Sequence, residues 1–198
     1  MEREESRLRA GDVRMSNEIY SFLDNTFYKE KTTDFERVND RERQLKGIDV
    51  IFKIGDKEYK ADEKAAVRWR NLKTYSLEVS FINRRNEVQE GWFVNEGLEN
   101  NSYVFVWVDK DGEEESVTLA VVLKKKLHEY LQSIGWGRES LLNKSRLIRE
   151  GNTNLGDINI NGCKFSYSER LVEKPVNILL PREKYMKLAD LVWTKKLN

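Results

Sequence analysis

Cysteine and histidine are nearly absent from this sequence, which contains one of each among 198 residues. The single cysteine, Cys163, rules out a disulfide framework and a cysteine-ligated zinc site. The single histidine, His128, cannot build a metal site alone, and no serine or cysteine is paired with it in a visible catalytic motif. Neither residue therefore enters the candidate site.

An excess of charge of one sign is also missing. The chain has 35 basic and 34 acidic residues and a formal net charge of +1, so its overall charge indicates neither a nucleic-acid nor a membrane partner. The longest apolar runs, VFVWV and TLAVVL, are far too short to cross a bilayer. The opening residues, MEREESRLRAGD, lack the apolar core of a secretory signal. We expect a cytoplasmic protein with no membrane contact.

Internal repeats and low-complexity tracts are not visible either. The sequence does contain 5 Trp, 8 Tyr and 8 Phe, arranged in short periodic runs that are typical of a folded core. A length of 198 residues suits one ordinary domain. We therefore predict a single domain over residues 1–198.

Apolar periodicity predicts a mixed fold of the α/β (α+β) class. Apolar residues at helical spacing predict a first helix over about 16–29. A hairpin is predicted for IDVIFKI and EYKADEKAAV, and further strands for 74–82, 101–109 and 115–123. The last third is expected to contain two short amphipathic helices, a strand at VNILLP and a final helix, PREKYMKLADLVWTKK.

Charged residues interrupt the apolar pattern at both ends of the predicted hairpin. Side chains at positions i and i+2 of a strand share a face, so Asp62 and Lys64 should project together while Glu63 points the other way. Asp49 can reach the same face if the hairpin register permits. Glu78, on the polar face of the next strand, could bring a third carboxylate to this patch.

Such a patch is costly without a partner, because crowded carboxylates repel one another and raise their own pKa values. A divalent cation would remove that cost. Oxygen ligands with no His or Cys nearby suit Mg²⁺ or Mn²⁺, which often hold a phosphate and lower the pKa of a water for in-line attack. Lys64 could orient that water or neutralise charge growing on the phosphate.

An aspartate that opens one strand, followed in the next strand by Asp62-Glu63-Lys64, resembles the PD-(D/E)xK nuclease superfamily. The flanking stretches QLKGID and SLEVSF, GW and SYVFVWV are similar to an uncharacterised bacterial and mobile-element subgroup of that superfamily. The resemblance covers about residues 16–125 and leaves 126–198 as a helical or mixed C-terminal extension. Ile48 stands where the superfamily motif has its proline.

The resemblance implies a restriction-endonuclease-like mixed central sheet flanked by helices. It also implies hydrolysis of phosphodiester bonds with Mg²⁺ or Mn²⁺ as the cofactor, and DNA is the expected substrate. Asp49 and Asp62 would bind the metal, and Lys64 would be the catalytic lysine. Additional site candidates are Glu78, Glu63 and Glu18. Glu63 would compete with Asp62 for the acidic role only if the strand were bulged there.

Basic residues that follow the DEK strand are candidates for contacts with nucleic-acid phosphates. Arg68, Arg70 and Lys73 lie in this stretch beside Trp69. A homodimer would suit cleavage of both strands of a duplex, although the sequence indicates no interface.

Other interpretations of the same residues stay open. The chain could be a catalytically inactive nucleic-acid-binding or protein-interaction module on the same fold. It could also be an unrelated α+β protein in which the Asp49 and Asp62 carboxylates lie far apart. Asp62 and Lys64 would then be solvated charges of an edge strand, and Asp49 would cap a turn.

Overall fold

The structure, a computed structural model, describes residues 15–151 and 159–197. The chain forms two compact units. The first unit contains the chain up to Leu72, Asn100–Leu123 and the residues from Ala189 onwards, and the second contains Lys73–Glu99 and Lys124–Leu188. The units are thus built from interleaved segments of the chain. None of the helices in the described ranges is long and apolar enough to span a membrane.

Helices and strands alternate along the described parts of the chain. Helix α1 covers residues 15–31 and contains a π-helical turn over Asp24–Tyr28, followed by Lys29–Lys31. The other helices are α2 (Arg41–Leu45), α3 (Lys124–Ser133), α4 (Arg138–Arg149) and α5 (Arg182–Leu188). The strands are β1 (Asp34–Arg37), β2 (Val50–Ile54), β3 (Lys57–Arg70), β4 (Thr74–Ile82), β5 (Val88–Glu90), β6 (Ser102–Asp111), β7 (Glu114–Leu123), β8 (Asn159–Ile160), β9 (Cys163–Tyr167), β10 (Val176–Pro181) and β11 (Leu191–Leu197).

The first unit is built on a six-stranded mixed sheet in the order β1-β2-β3-β6-β7-β11. Strands β3 and β6 run parallel, and every other neighbouring pair in this sheet is antiparallel. The register places Asp62 beside Tyr103 and Lys64 beside Phe105. The mixed sheet confirms the predicted α+β class.

Helix α1 packs against the sheet of the first unit. Leu23, Phe27 and Tyr28 are fully buried in one apolar cluster with Phe52 of β2 and Val104 of β6. Burying an apolar side chain of this size contributes about 1.5–3 kcal/mol. The face of α1 that carries these residues is therefore fixed relative to β2 and β3, which bear the predicted site.

The second unit is built on a five-stranded antiparallel sheet in the order β5-β4-β10-β9-β8. Alternate residues of its central strands are fully buried, including Leu77 and Val79 on β4 and Ile178 and Leu180 on β10. Strand β4 had been expected to lie in one sheet with the DEK strand. It belongs instead to this second sheet, and β3 has β6 as its neighbour.

Most of the predicted elements are confirmed, including the β2–β3 hairpin and the strands at 74–82, 101–109 and 115–123. The predicted final helix is wrong in its second half. Helix α5 ends at Leu188, and the residues Leu191–Leu197 form β11 on the outer edge of β7. The backbone groups on that edge of β7 offer seven residue pairings to the segment, which outweigh its local helical pattern.

Candidate active site

Asp49 lies just before strand β2, after a capped helix and a tight turn. The Asp40 carboxylate accepts a hydrogen bond of 2.9 Å from the Arg43 backbone N–H and so caps the N-terminus of α2. Gly47 then adopts a φ of 77°, a left-handed conformation that commonly ends a helix. The backbone N–H of Asp49 donates to Ala61 and its carbonyl accepts from Val38, each at 2.9 Å. Asp49 is therefore held between β1 and β3.

The hairpin register brings the two predicted metal ligands together. Val50 pairs with Ala61, which leaves Asp49 and Asp62 as the next residues of the two strands. The Asp49 Oδ2 atom accepts a hydrogen bond of 2.9 Å from the Glu63 backbone N–H. The Asp49 side chain lies close enough to Asp62 to raise the pKa of that carboxyl, both through its charge and through hydrogen bonding. The acids that are 13 positions apart in the sequence thus share one small patch.

Asp62 is almost completely buried, at 5% exposure. Burial raises the pKa of Asp62 to about 7, the attraction of Lys64 opposes this rise, and the neighbouring Asp49 adds to it. A carboxyl with this pKa is about half protonated at neutral pH. At neutral pH a divalent cation would therefore compete with a proton for Asp62.

Lys64 lies beside Asp62, as the two-residue strand period predicts. Its Nζ atom is 2.7 Å from the Asp62 Oδ1 atom, and the Lys64 side chain is 26% exposed. The ammonium group is therefore held at the acid pair while part of it still faces solvent. This placement suits a group that acts on a substrate entering from outside.

Glu63 points to the other face of β3, as the strand period also predicts. Pairing of β3 with β6 is continuous from Ala61 to Ala66, so no bulge turns Glu63 towards Asp62. The Tyr28 hydroxyl donates a hydrogen bond of 2.6 Å to the buried Glu63 carboxylate. Arg37 forms ion pairs with both Glu63 and Asp24. The Glu63 side chain thereby connects strand β3 to helix α1 and strand β1.

Glu63, Arg37 and Tyr28 form a polar network in which the side chains shift one another's pKa values. Burial raises the pKa of Glu63, Arg37 and Tyr28 counteract this effect, and the charge of Asp49 adds to it. Burial lowers the pKa of Arg37, but Glu63 and Asp24 outweigh burial and raise it overall. Arg37 therefore stays charged and compensates the buried Glu63 carboxylate.

Tyr20 is a residue near the acids that the sequence analysis missed. Its pKa is raised by burial first and then by the charges of Glu63, Asp49 and Asp62, and the Arg37 guanidinium lies 5.5 Å from the centre of its ring. Tyr20, Asp24 and Tyr28 follow one another at intervals of four along α1. This spacing places the polar ends of the three side chains on one face of the helix. It is the sequence signal that could have predicted their hydrogen-bonding network.

The remaining acidic candidates lie on α1 and β4. Glu18 is an exposed residue of α1 and lines a cavity of about 150 Å³ that Arg70 and Glu115 also line. Glu78 lies on β4 in the second unit. Its charge acts on Arg149 of the same unit.

The basic candidates differ from one another in their surroundings. Arg70 forms a two-pronged ion pair with Glu115, at 2.8 and 3.1 Å, and so already has a counter-charge. Arg68 is exposed, and its guanidinium lies 5.9 Å from the ring centre of Trp69, which is 61% exposed. Lys73 is exposed at the first residue of the second unit. Among these candidates, Arg68 with Trp69 forms a surface on which a base could stack.

The acid pair offers two carboxylates to a metal ion. Within residues 15–151 and 159–197, no group of three or more His, Cys, Asp or Glu side chains is placed to hold a metal ion. Asp49 and Asp62 are close enough for the charge of Asp49 to raise the pKa of Asp62. Mg²⁺ commonly uses one or two carboxylates and completes its shell with water and phosphate oxygens. The chemistry of this pair therefore fits Mg²⁺, with the remaining positions left to carbonyls, water or substrate.

Comparison of the chain with protein-family models, with curated proteins and with solved structures gives no significant match. Membership of the PD-(D/E)xK superfamily therefore stays a prediction that rests on Asp49, Asp62 and Lys64 and on their arrangement.

Proposed function

We propose that this chain is a metal-dependent nuclease of the PD-(D/E)xK type that hydrolyses phosphodiester bonds, with DNA as its substrate. The observation that carries the proposal is the cluster of Asp49, Asp62 and Lys64. The Asp49 carboxylate accepts from the Glu63 backbone N–H beside Asp62, and the Lys64 ammonium is 2.7 Å from Asp62. A buried acid with a strongly raised pKa next to a lysine is typical of active sites.

The fold around these residues is compatible with the proposal. The site lies on a mixed sheet that helix α1 covers on one face, and a restriction-endonuclease-like core is a mixed sheet flanked by helices. The acids lie on a hairpin whose second strand, β3, is paired on both sides. A site on such a rigid element keeps its geometry when substrate binds.

Asp49 and Asp62 would hold Mg²⁺ or Mn²⁺ in place of the proton on Asp62. The bound ion would supply Lewis acidity towards a phosphate oxygen and lower the pKa of a water. Glu63 takes part only through its backbone, because its carboxylate is bound by Tyr28 and Arg37.

Lys64 would act on the substrate side of the acid pair. Its ammonium group can donate a hydrogen bond to the attacking water and orient it towards phosphorus. It can also stabilise the negative charge that grows on the phosphate oxygens. Asp62 limits the positions that the lysine can take, because the two side chains are in contact.

Cleavage assays with a matched pair of lysine variants test this proposal. Purified protein with Mg²⁺ or Mn²⁺ should cut plasmid DNA or single-stranded oligonucleotides, and RNA oligonucleotides serve as a parallel substrate. Lys64→Ala should abolish cutting with an unchanged circular dichroism spectrum. Lys53→Ala, an exposed lysine of the same hairpin, should leave cutting unchanged.

Two results would count against the proposal. Activity that persists in Lys64→Ala would remove this lysine from the mechanism. Absence of cutting, together with no rise in melting temperature on addition of Mg²⁺, would favour a catalytically inactive binding module, since a bound ion must stabilise the folded state by mass action.

A further inference from the structure

A second cavity, unrelated to the acid pair, lies within the second unit. Its volume is about 440 Å³, and it is lined by Ser80, Val88, Leu142, Ser145, Arg146 and Arg149 among others. Cavities of about 300–1,000 Å³ are the usual size of sites for small molecules. Most of its exposed wall is apolar, and Ser80 and Ser145 are hydrogen-bonded in a chain with Arg149.

Arg149 is bound by hydroxyl groups rather than by a carboxylate. Its Nε and Nη2 atoms donate to the Ser80 Oγ atom at 3.1 and 2.8 Å. Its Nη1 atom is buried and has no hydrogen-bond acceptor. The guanidinium also lies 5.7 Å from the centre of the Tyr167 ring. Within the described part of the chain, no carboxylate forms an ion pair with Arg149.

The acids that line the same cavity already have partners. Glu150 accepts two hydrogen bonds from Arg146, at 2.7 and 2.9 Å. Glu90 is paired with Arg138 at 2.5 Å. The charge of Glu78, which does not line the cavity, also acts on Arg149. Of the two arginines that line the cavity, Arg146 is paired with Glu150, and Arg149 forms no ion pair with a carboxylate of the described residues.

The environment of Arg149 is unfavourable for this charge as it stands. Burial lowers the pKa of Arg149, and the nearby Tyr167 and Glu78 only partly offset that effect. A guanidinium away from water is stabilised by a planar anion that accepts two of its N–H groups. An anion in the cavity would therefore stabilise Arg149 as well as occupy the space.

Two buried hydroxyls extend the polar corner of the cavity. The Ser80 and Ser145 side chains are 3% and 2% exposed, and their Oγ atoms are 2.6 Å apart. Hydroxyl groups can rotate to donate to an incoming oxygen. Since one hydroxyl donates to the other, the corner combines the guanidinium with one hydroxyl donor that is left for a ligand. The apolar side chains of Val88 and Leu142 lie in the same cavity.

We propose that this cavity binds a small organic anion, a carboxylate or phosphate monoester joined to an apolar body, with the anionic group at Arg149, Ser80 and Ser145. The apolar body would lie against Val88 and Leu142. This site is separate from the proposed phosphodiester hydrolysis and does not depend on it.

Calorimetric titration with matched probes tests the proposal on the full chain. Phenyl phosphate and benzoate carry both the anion and the apolar body, benzyl alcohol lacks the charge, and inorganic phosphate lacks the body. At least one of the two complete probes should bind at least tenfold more tightly than benzyl alcohol and inorganic phosphate. Arg149→Gln should weaken that binding at least tenfold, and Arg170→Gln, at an exposed position of the same unit, should leave it unchanged.

Backbone amide shifts in the wild-type protein provide a test that does not depend on how the variant folds. The binding probe should shift amides of β5 and of the C-terminal half of α4. Failure of both complete probes to bind, or equal binding to the wild-type protein and a folded Arg149→Gln variant, would overturn the proposal. Displacement of the probe by a short oligothymidylate would overturn the small-molecule assignment, because the anion would then be a nucleic-acid phosphate.

Discussion

The raised pKa of Asp62 leads to a quantitative prediction about metal binding. The proton on Asp62 has to leave before a divalent cation can bind to Asp49 and Asp62. Because the pKa of Asp62 is about 7, the acid is mostly protonated at pH 6 and mostly ionised at pH 8. Mg²⁺ should therefore bind more tightly at the higher pH.

The size of this effect follows from the titration of a single group. With a pKa of about 7, the ionised fraction of Asp62 rises from about 0.1 at pH 6 to about 0.9 at pH 8. The Kd for Mg²⁺ should therefore fall about tenfold between these two pH values. Most of the change should occur near pH 7, since an unshifted carboxyl is already ionised there.

Isothermal titration of the wild-type protein with MgCl₂ at several pH values measures the effect directly, and Mn²⁺ gives an independent series. Binding in buffers of different ionisation enthalpy should also reveal the release of about one proton per ion at pH 6. In Asp62→Asn, binding should be weak and independent of pH. Equal Kd values at pH 6 and pH 8 in the wild-type protein would refute this reasoning.

Three further predictions concern stability, measured by urea denaturation without metal. Because the pKa of folded Asp62 is raised from 3.8 to about 7, its ionisation destabilises the fold by about 4 kcal/mol above pH 7 and not at all below pH 4. Asp62→Asn should therefore be more stable than wild type at pH 8 and lose this advantage towards pH 4. Tyr28→Phe removes a donor from the buried Glu63 carboxylate and should cost about 1–3 kcal/mol. Gly91→Ala should cost about 1–3 kcal/mol, because an added Cβ would overlap the backbone carbonyl of Glu78.

Each of these predictions has its own control. A stability difference between Asp62→Asn and wild type that does not change with pH would contradict the first. The cost of Tyr28→Phe should shrink in a Glu63→Gln background, and additive costs would show that the two side chains are not coupled. Gly97→Ala is the control for Gly91→Ala, since its Cβ would lie 3.1 Å from the side-chain Oδ1 of Asn95. Equal losses of stability at both glycines would argue against the steric explanation.

The local sequence pattern alone determined several strands of this protein and the faces on which the DEK side chains lie. The strict alternation along 74–82 and the apolar runs at 101–109 and 115–123 predicted strands that the structure contains. The two-residue period of a strand also placed Asp62 and Lys64 on one face and Glu63 on the other. These features depend on neighbours within a few residues, and such neighbours are visible in a sequence.

Other features were decided by contacts between distant parts of the chain. The segment Leu191–Leu197 follows a helix-like pattern, yet it is a strand because β7 offers it an open edge. Strand β4 was expected beside the site, but β6 occupies that place as the parallel neighbour of β3. The order of strands in a sheet depends on long-range pairing, which a local pattern does not contain.

The candidate site shows the same division between sequence and tertiary structure. The sequence determined which residues could bind a cation, because Asp49, Asp62 and Lys64 have the required chemistry and the strand period aligns two of them. Only the tertiary structure decided that Asp49 meets Asp62. It also decided that the Glu63 carboxylate is bound by Tyr28 and Arg37, which lie 35 and 26 residues away in the chain. The physical reason is that burial and charge pairing, which set the pKa of each acid, depend on which elements pack together and not on their spacing along the chain.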